Sequence, residues 1–267
     1  MTKIKNKKLA IQIQKKSTKP KSNLVSIVTV VFNGDKHLEK TIKSVINQNY
    51  SNIEFIVIDG GSTDQSLSII KRYDHAIDQW LSEKDLGIYD AMNKGIAMAH
   101  GQWISFMNCG DYFYSKNTLY SIFDKNKLND ADVIYGNHQV IYPSKVAIHF
   151  KAGSIKNIWR GSQFSHQACF TRTYLLKKYK FNLDFKFSSD FDFFYKLWQK
   201  KYKFRHLNII VASVLAGGVS DRHRIEVIGE WRKIVKKNWL TFFYYTLQIL
   251  KENIKYLIKK RMNVNGL

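Results

Sequence analysis

Four stretches of this sequence carry side chains that could do chemistry. In WISFMNCGD an apolar run ends in one carboxylate, Asp111, directly after Gly110. Glycine permits the tight or left-handed backbone needed there. A lone carboxylate in that setting suits a hard divalent cation, because Mg²⁺ needs only one or two protein carboxylates when its ligand supplies phosphate oxygens. Asp111 can equally be a turn or helix-capping residue. In FKFSSDFDFF, Asp190 and Asp192 stand among phenylalanines at the start of a helical pattern. A carboxylate partly withdrawn from water there has a raised pKa and can act as a general base, or it can simply cap the helix. Asp59 ends IEFIVID and is followed by GGSTD. It can accept hydrogen bonds from a base or ribose, while Ser62, Thr63 and Asp64 are suited to capping the next helix. His166-Gln167, in an otherwise uncharged segment, can hold a hydroxyl or phosphate or be structural. Behind LAGGVS, the cations Arg222, His223 and Arg224 could let that loop close on a diphosphate.

Elements that would position these residues alternate along the chain. Residues 24–32 (LVSIVTVVF) form a β-branched apolar run, and Leu38, Ile42, Val45 and Ile46 then recur at helical spacing. Residues 53–59 read as a second buried strand, 65–73 as a helix, and 76–83 as a short mixed element. Residues 88–99 read as a helix and 102–108 as a third core strand. This order predicts an α/β fold with a mostly parallel sheet covered on both faces. Ligands of such sheets bind beyond the carboxyl ends of the strands, where Phe32-Asn33, Asp59-Gly60 and Asn108 to Asp111 all fall. The single glycine after the first strand argues against a dinucleotide fingerprint.

A formal charge of +22 on 267 residues favours polyanionic neighbours. Residues 1–23 hold eight lysines and no acid, and read as a basic flexible tail with a short helical turn around Leu9 to Ile13. Residues 24–222 form the main domain. Residues 223–267 form an amphipathic basic helical extension, with Ile225, Ile228, Trp231 and Val235 on one face and an uncharged run from Trp239 to Leu250. That run is too short to span a bilayer and suits a helix lying in the interface, or one packed on the domain. Two distant cysteines, Cys109 and Cys169, give no disulfide framework and point to a reducing compartment. The chain is expected to be soluble or peripheral.

Taken together, VSIVTVVFNG, TIKSVINQNYSNIEFIVIDGGSTD, SEKDLGIYDAMNKGIAMAHGQWISFMNCGD, SHQACFTR, FSSDFDFF and GGVS resemble the family 2 glycosyltransferases. The nearest likeness is to bacterial enzymes of capsule, O-antigen or exopolysaccharide assembly, and it covers about residues 24–220. The resemblance implies a GT-A fold, Rossmann-like and mostly parallel. It implies a nucleotide pocket lined by Val30, Phe32 and Asn33, with Asp59 or its neighbour at the base. Asp85, Gly87, Asn93 and Lys94 would run beside the ribose and diphosphate. Asp111 would match the last acid of the family's metal motif and bind Mg²⁺ or Mn²⁺. Asp190 would match the catalytic base. Gly60 and Gly110 stand where most members carry acids, which bears on base recognition and on metal affinity.

The implied reaction is inverting transfer of a sugar from a nucleotide-sugar donor, a UDP-sugar being preferred, to a hydroxyl of a saccharide acceptor. His166 and Gln167 would face the acceptor or the diphosphate, and Arg222 and Arg224 the diphosphate. The basic ends suggest a polyprenyl-diphosphate-linked acceptor and a cytoplasmic enzyme peripheral to the anionic inner face of the cell membrane. A nucleic-acid partner is not expected, since the charge gathers at the two ends and the core has no recognisable nucleic-acid module. The rival readings are a non-catalytic transferase-like membrane adaptor and a basic nucleic-acid-binding protein.

Overall fold

The computed structural model describes residues 10–13, 23–126, 128–236 and 239–264. Among them the strands are β1 (Ala10–Ile13), β2 (Val25–Val31), β3 (Ile53–Asp59), β4 (Gln79–Ser82), β5 (Trp103–Phe106), β6 (Tyr112–Phe113), β7 (Val133–Ile141), β8 (Ala147–Phe150), β9 (Cys169–Arg172) and β10 (Phe204–Leu215). They form one sheet in the order β1-β4-β3-β2-β5-β9-β7-β10-β6, with β8 added to β7. One half of the sheet is parallel. β2 pairs with β3 from Val25↔Ile53 to Val31↔Asp59, and with β5 from Val25↔Trp103 to Val28↔Phe106. β9 then enters antiparallel between β5 and β7, and β10 runs parallel to β7.

Apolar side chains on both faces explain why β2 and β3 take the centre. Val28, Val30, Ile56 and Ile58 enter one core with α3 (Ile88–Met98), α5 (Thr173–Tyr179) and α6 (Ser189–Gln199). Their alternating neighbours Val25, Ile27, Val31, Phe55 and Val57 enter the other, with α1 (Asp35–Ile46), α2 (Ser66–Arg72) and α4 (Thr118–Phe123). A strand's period of two sends successive side chains to opposite faces, and each such burial contributes about 1.5–3 kcal/mol. Helices therefore cover both faces, as the apolar runs predict. In α1 the buried Leu38, Ile42 and Val45 are those picked out by helical spacing.

Three helices follow the sheet: α7 (Val219–Arg222), α8 (Arg224–Val235) and α9 (Trp239–Val264). α8 buries Val227, Ile228 and Val235, and its Trp231 ring lies 5.2 Å from that of Phe191 in α6. Its Glu230 accepts from the amides of Lys186 and Phe187, fixing the loop that leads into α6. α9 seats Tyr245, 1% exposed, whose hydroxyl donates to the Trp159 carbonyl at 2.7 Å. No helix among the described residues is long and apolar enough to cross a membrane.

One local expectation is corrected. The helical turn read around Leu9 to Ile13 is, over Ala10–Ile13, an edge strand paired antiparallel with β4 from Ala10↔Ser82 to Ile13↔Gln79. A β4 with an open edge offers a ladder that outweighs the weak helical preference of four residues. Leu9 and most of the basic tail lie outside the described residues.

Candidate active site

A cavity of about 1050 Å³ opens at the carboxyl ends of β2 and β5. Its floor is made by continuing the parallel ladder past β5. The amides of Met107 and Cys109 donate to the carbonyls of Val28 and Val30. Gly110 then turns the chain at φ +101°, a region that favours glycine. Thr41 of α1 holds the turn from below. Its hydroxyl accepts from the Gly110 amide at 3.0 Å and donates to the Asp111 carbonyl at 2.8 Å.

The Asp111 carboxylate thus arrives in the cavity almost buried, 7% exposed. Gln167 Nε2 donates to its Oδ2 at 2.7 Å, and the Leu215 amide to its Oδ1 at 3.4 Å. Burial pushes its pKa up to about 6, although the Gln167 bond, the His166 charge and the Leu215 amide pull the other way.

Asp190 lies in the first turn of α6. Ser188, not Asp190, stands at the cap position, and the Asp190 carboxylate points to two side-chain partners. The Tyr89 hydroxyl donates to Oδ1 at 2.8 Å, and His166 Nδ1 lies 3.0 Å from Oδ2. The raised pKa expected at Asp190 is reversed. Burial does raise it, but the hydrogen bond and charge of His166 and the Tyr89 hydroxyl together take it below the usual value. His166 responds in kind. Burial lowers its pKa, and the Asp190 bond together with the charges of Asp190 and Asp111 raises it above normal.

Residues 165–167 therefore bridge the two acids. His166 meets Asp190 through Nδ1 and the Asn108 amide nitrogen through Nε2 at 3.1 Å, while Gln167 holds Asp111. The Ser165 hydroxyl bonds Gln167 Oε1 and fixes which end of that amide faces Asp111.

Val30, Phe32, Asn33, Asp85, Gly87, Arg222 and Arg224 also line the cavity. Asn33 ties two of the strand-end turns together: its amide donates to Ser62 Oγ and its Oδ1 accepts from the Thr63 amide, both at 2.8 Å. Asp59 is fully buried below the cavity, with its carboxylate engaged by Ser62 and by the Ser82 hydroxyl at 2.6 Å. A Cβ at Gly60 would collide with the Asp85 carboxylate, so Asp85 fills the space where most family members place an acid side chain. Asn93 and Lys94 do not line the cavity. Asn93 exchanges two hydrogen bonds with the Phe181 backbone, and Lys94 pairs with Glu83 at 2.8 Å and Asp90 at 3.3 Å.

Sequence reasoning missed Tyr89 as a partner of the site, and placed Asn108 at the strand end without its bond to His166. Tyr89 sits at an apolar position of α3 and reads as core, and nothing local marks its bond to a residue 101 positions away. Asn108 carried a signal, since it is the polar residue that ends the β5 run.

The donor set suits a hard cation only in part. Among the described residues no group of three or more His, Cys, Asp or Glu side chains converges on one point. Asp111 is the one acid of the 108–111 turn and offers it an anionic oxygen. Its upward pKa shift marks a buried negative charge short of compensation, which a divalent cation supplies. The residues therefore fit a Mg²⁺ or Mn²⁺ that takes most of its ligands from a diphosphate.

Comparisons with known proteins identify the family and the fold. The model of the family described as Glycosyl transferase family 2 matches residues 26–198. The uncharacterized glycosyltransferase MT1564 of Mycobacterium tuberculosis is 34% identical over 181 residues, 63% of this chain and 66% of that protein. The PGL/p-HBAD biosynthesis glycosyltransferase of Mycobacterium bovis is 28% identical over 208 residues, 74% of this chain and 79% of that protein. Among solved structures, S. aureus TarS 1–349 in complex with UDP-GlcNAc aligns with TM-score 0.59 at 19% identity, over 79% of this chain and 66% of that one. The mannosyltransferase PcManGT from Pyrobaculum calidifontis, in complex with GDP-Man and Mn²⁺, aligns with TM-score 0.63 at 15% identity, over 80% of this chain and 65% of that one. The chain thus spans about two thirds of the length of several proteins it matches. These likenesses share the GT-A fold, and the match over residues 26–198 covers more than half of the sequence: the chain belongs to glycosyl transferase family 2.

Proposed function

We propose that this protein transfers a sugar from a nucleotide-sugar donor to a hydroxyl of a saccharide acceptor with inversion at the anomeric carbon. The observation that carries the reading is the bridge of residues 165–167, which holds Asp190 and Asp111 in one cavity. Asp190 is the base. Held ionised by His166 and Tyr89, it takes the acceptor proton as the hydroxyl oxygen attacks the anomeric carbon. The bond from that carbon to the diphosphate oxygen breaks in the same step, and the diphosphate leaves with the electron pair. A divalent cation bound at Asp111, when present, supplies positive charge to the departing diphosphate. Arg222 and Arg224 at the cavity rim add theirs. Val30, Phe32 and Asn33 hold the base and ribose side, with Asp85 and Gly87 beside the diphosphate.

The UDP-GlcNAc of TarS and the GDP-Man of PcManGT support a nucleotide-sugar donor, and a UDP-sugar is the reading preferred here. A polyprenyl-diphosphate-linked acceptor, in capsule, O-antigen or exopolysaccharide assembly at the cytoplasmic face of the membrane, accords with the charge of +22. The PGL/p-HBAD biosynthesis relative gives separate support for glycoconjugate assembly. The test is release of nucleoside diphosphate from UDP-, GDP- and dTDP-sugars, with Mn²⁺ and a panel of saccharide and polyprenyl-diphosphate acceptors. One donor should turn over, and Asp190→Asn should slow it by about 10²–10⁴-fold. If no donor turned over, Gly110 in place of a metal-motif acid would favour the non-catalytic transferase-like reading instead.

A further inference from the structure

Among the described residues, α9 carries a run of exposed large apolar side chains outside the cavity. The back of this helix is seated: Tyr245 is buried, and Tyr244 meets the Trp159 ring at 5.6 Å. The front is not. Trp239, Phe243, Leu247, Leu250, Ile254 and Leu257 follow one another at helical spacings of three and four, each between 48% and 74% exposed. At 1.5 Å per residue they make an apolar stripe of about 30 Å. Monomeric soluble proteins rarely leave so long a contiguous stripe uncovered.

Charge identifies what covers it. The α9 sequence carries Lys251, Lys255, Lys259, Lys260 and Arg261 against a single acid, Glu252. α8 alongside adds Arg232, whose guanidinium lies 5.1 Å over the Phe242 ring. A second copy of this chain would bring one basic flank against another on molecules each of charge +22. An anionic bilayer meets the same flanks with opposite charge. Its headgroup boundary also accepts aromatic side chains such as Trp239 and Phe243.

We infer that α9 is an interfacial membrane helix that lies in the headgroup plane of an anionic bilayer, with the stripe inward and its basic flanks on the lipid phosphates. The inference deepens the membrane-face reading above and rests on it for its purpose. α8 lies between the two surfaces. It packs on α9, and its Arg224, Val227 and Trp231 line the cavity, so a bilayer under α9 lies beside that wall. A lipid-linked acceptor would then reach the site without leaving the membrane.

Flotation of the full chain with vesicles tests it, and it is read independently of sugar transfer. Wild type should float with phosphatidylglycerol-containing vesicles and much less with pure phosphatidylcholine. Phe243→Glu/Leu250→Glu should lower the bound fraction about tenfold or more while keeping its Tm. Lys251→Glu/Lys255→Glu, which leaves the stripe intact, should weaken binding and its dependence on salt. Wild type that stays unbound with anionic vesicles overturns the inference. So does a dimer in size-exclusion chromatography that Phe243→Glu/Leu250→Glu converts to monomer without any vesicle binding, since a second copy would then be the occupant. Flotation without turnover would leave the docking surface standing and remove only the catalytic reading.

Discussion

Asp111 and Asp190 line the same cavity and are joined through neighbouring residues, His166 and Gln167, yet their environments push them in opposite directions. Asp111 is held by neutral donors, an amide side chain and a backbone amide, and burial takes its pKa up to about 6. Asp190 is partly buried, with 20% of its side chain exposed, but an imidazole and a phenol face it, and its pKa falls below the usual range. Burial alone does not set the charge of a carboxylate; the partner does. The comparison assigns the roles. Under the proposed function, the uncompensated acid is the one that would take a cation, and the compensated one would stay ionised as the proton acceptor.

The comparison can be broken most severely at Asp190. Asp190→Asn should cost about 10²–10⁴-fold in turnover, the usual range for a general base, with nucleotide binding retained. Turnover close to wild type would reverse the assignment. The next effect is one of stability and has a definite sign. Because the folded pKa of Asp111 lies above its unfolded value, the folded state binds the extra proton between about pH 4 and 6 and loses that advantage as pH rises. In the absence of ligand, Asp111→Asn should therefore be more stable than wild type at pH 7, by on the order of 3 kcal/mol, and the gain should vanish below about pH 4. Equal Tm values for the two proteins across that range would show that the charge is already compensated.

His166→Phe should sharpen the contrast from the other side. Without the imidazole, burial dominates at Asp190, so the acid limb of the kcat/KM profile should move to higher pH, with roughly a tenfold loss at neutrality. A profile unmoved on the pH axis would make His166 a packing residue only. The smallest effect is expected at Gly110. Gly110→Ala places a Cβ at φ +101°, where it meets Leu215 Cδ1 at 3.4 Å and His37 Cβ at 3.9 Å, both ordinary contacts. About 1 kcal/mol should be lost in a denaturant melt.

The parallel half of the sheet was legible because burial on both faces writes itself as unbroken apolar runs, in β2, β3 and β5. Asp111 and Asp190 were legible as candidates because polar residues interrupt such runs. What was not legible was whatever depends on which distant side chain faces which. Tyr89 looks like core in its own helix, and Asn93 and Lys94 look like ligand contacts until their bonds to Phe181, Glu83 and Asp90 are seen. The downward shift at Asp190 required the position of His166, which precedes it by 24 residues. The edge strand at Ala10–Ile13 needed the free edge of β4, which no local pattern announces.

The most direct test is a thermal-shift series with UDP, GDP and dTDP, each with and without Mn²⁺, on wild type, Asp111→Ala and Asp190→Asn. A nucleotide at a hundred times its Kd adds about 2.7 kcal/mol, or several degrees in Tm for a chain of this size. The account predicts one nucleotide with a Mn²⁺-dependent shift, lost in Asp111→Ala and kept in Asp190→Asn. A shift that survives in Asp111→Ala, or none with any nucleotide, would contradict it.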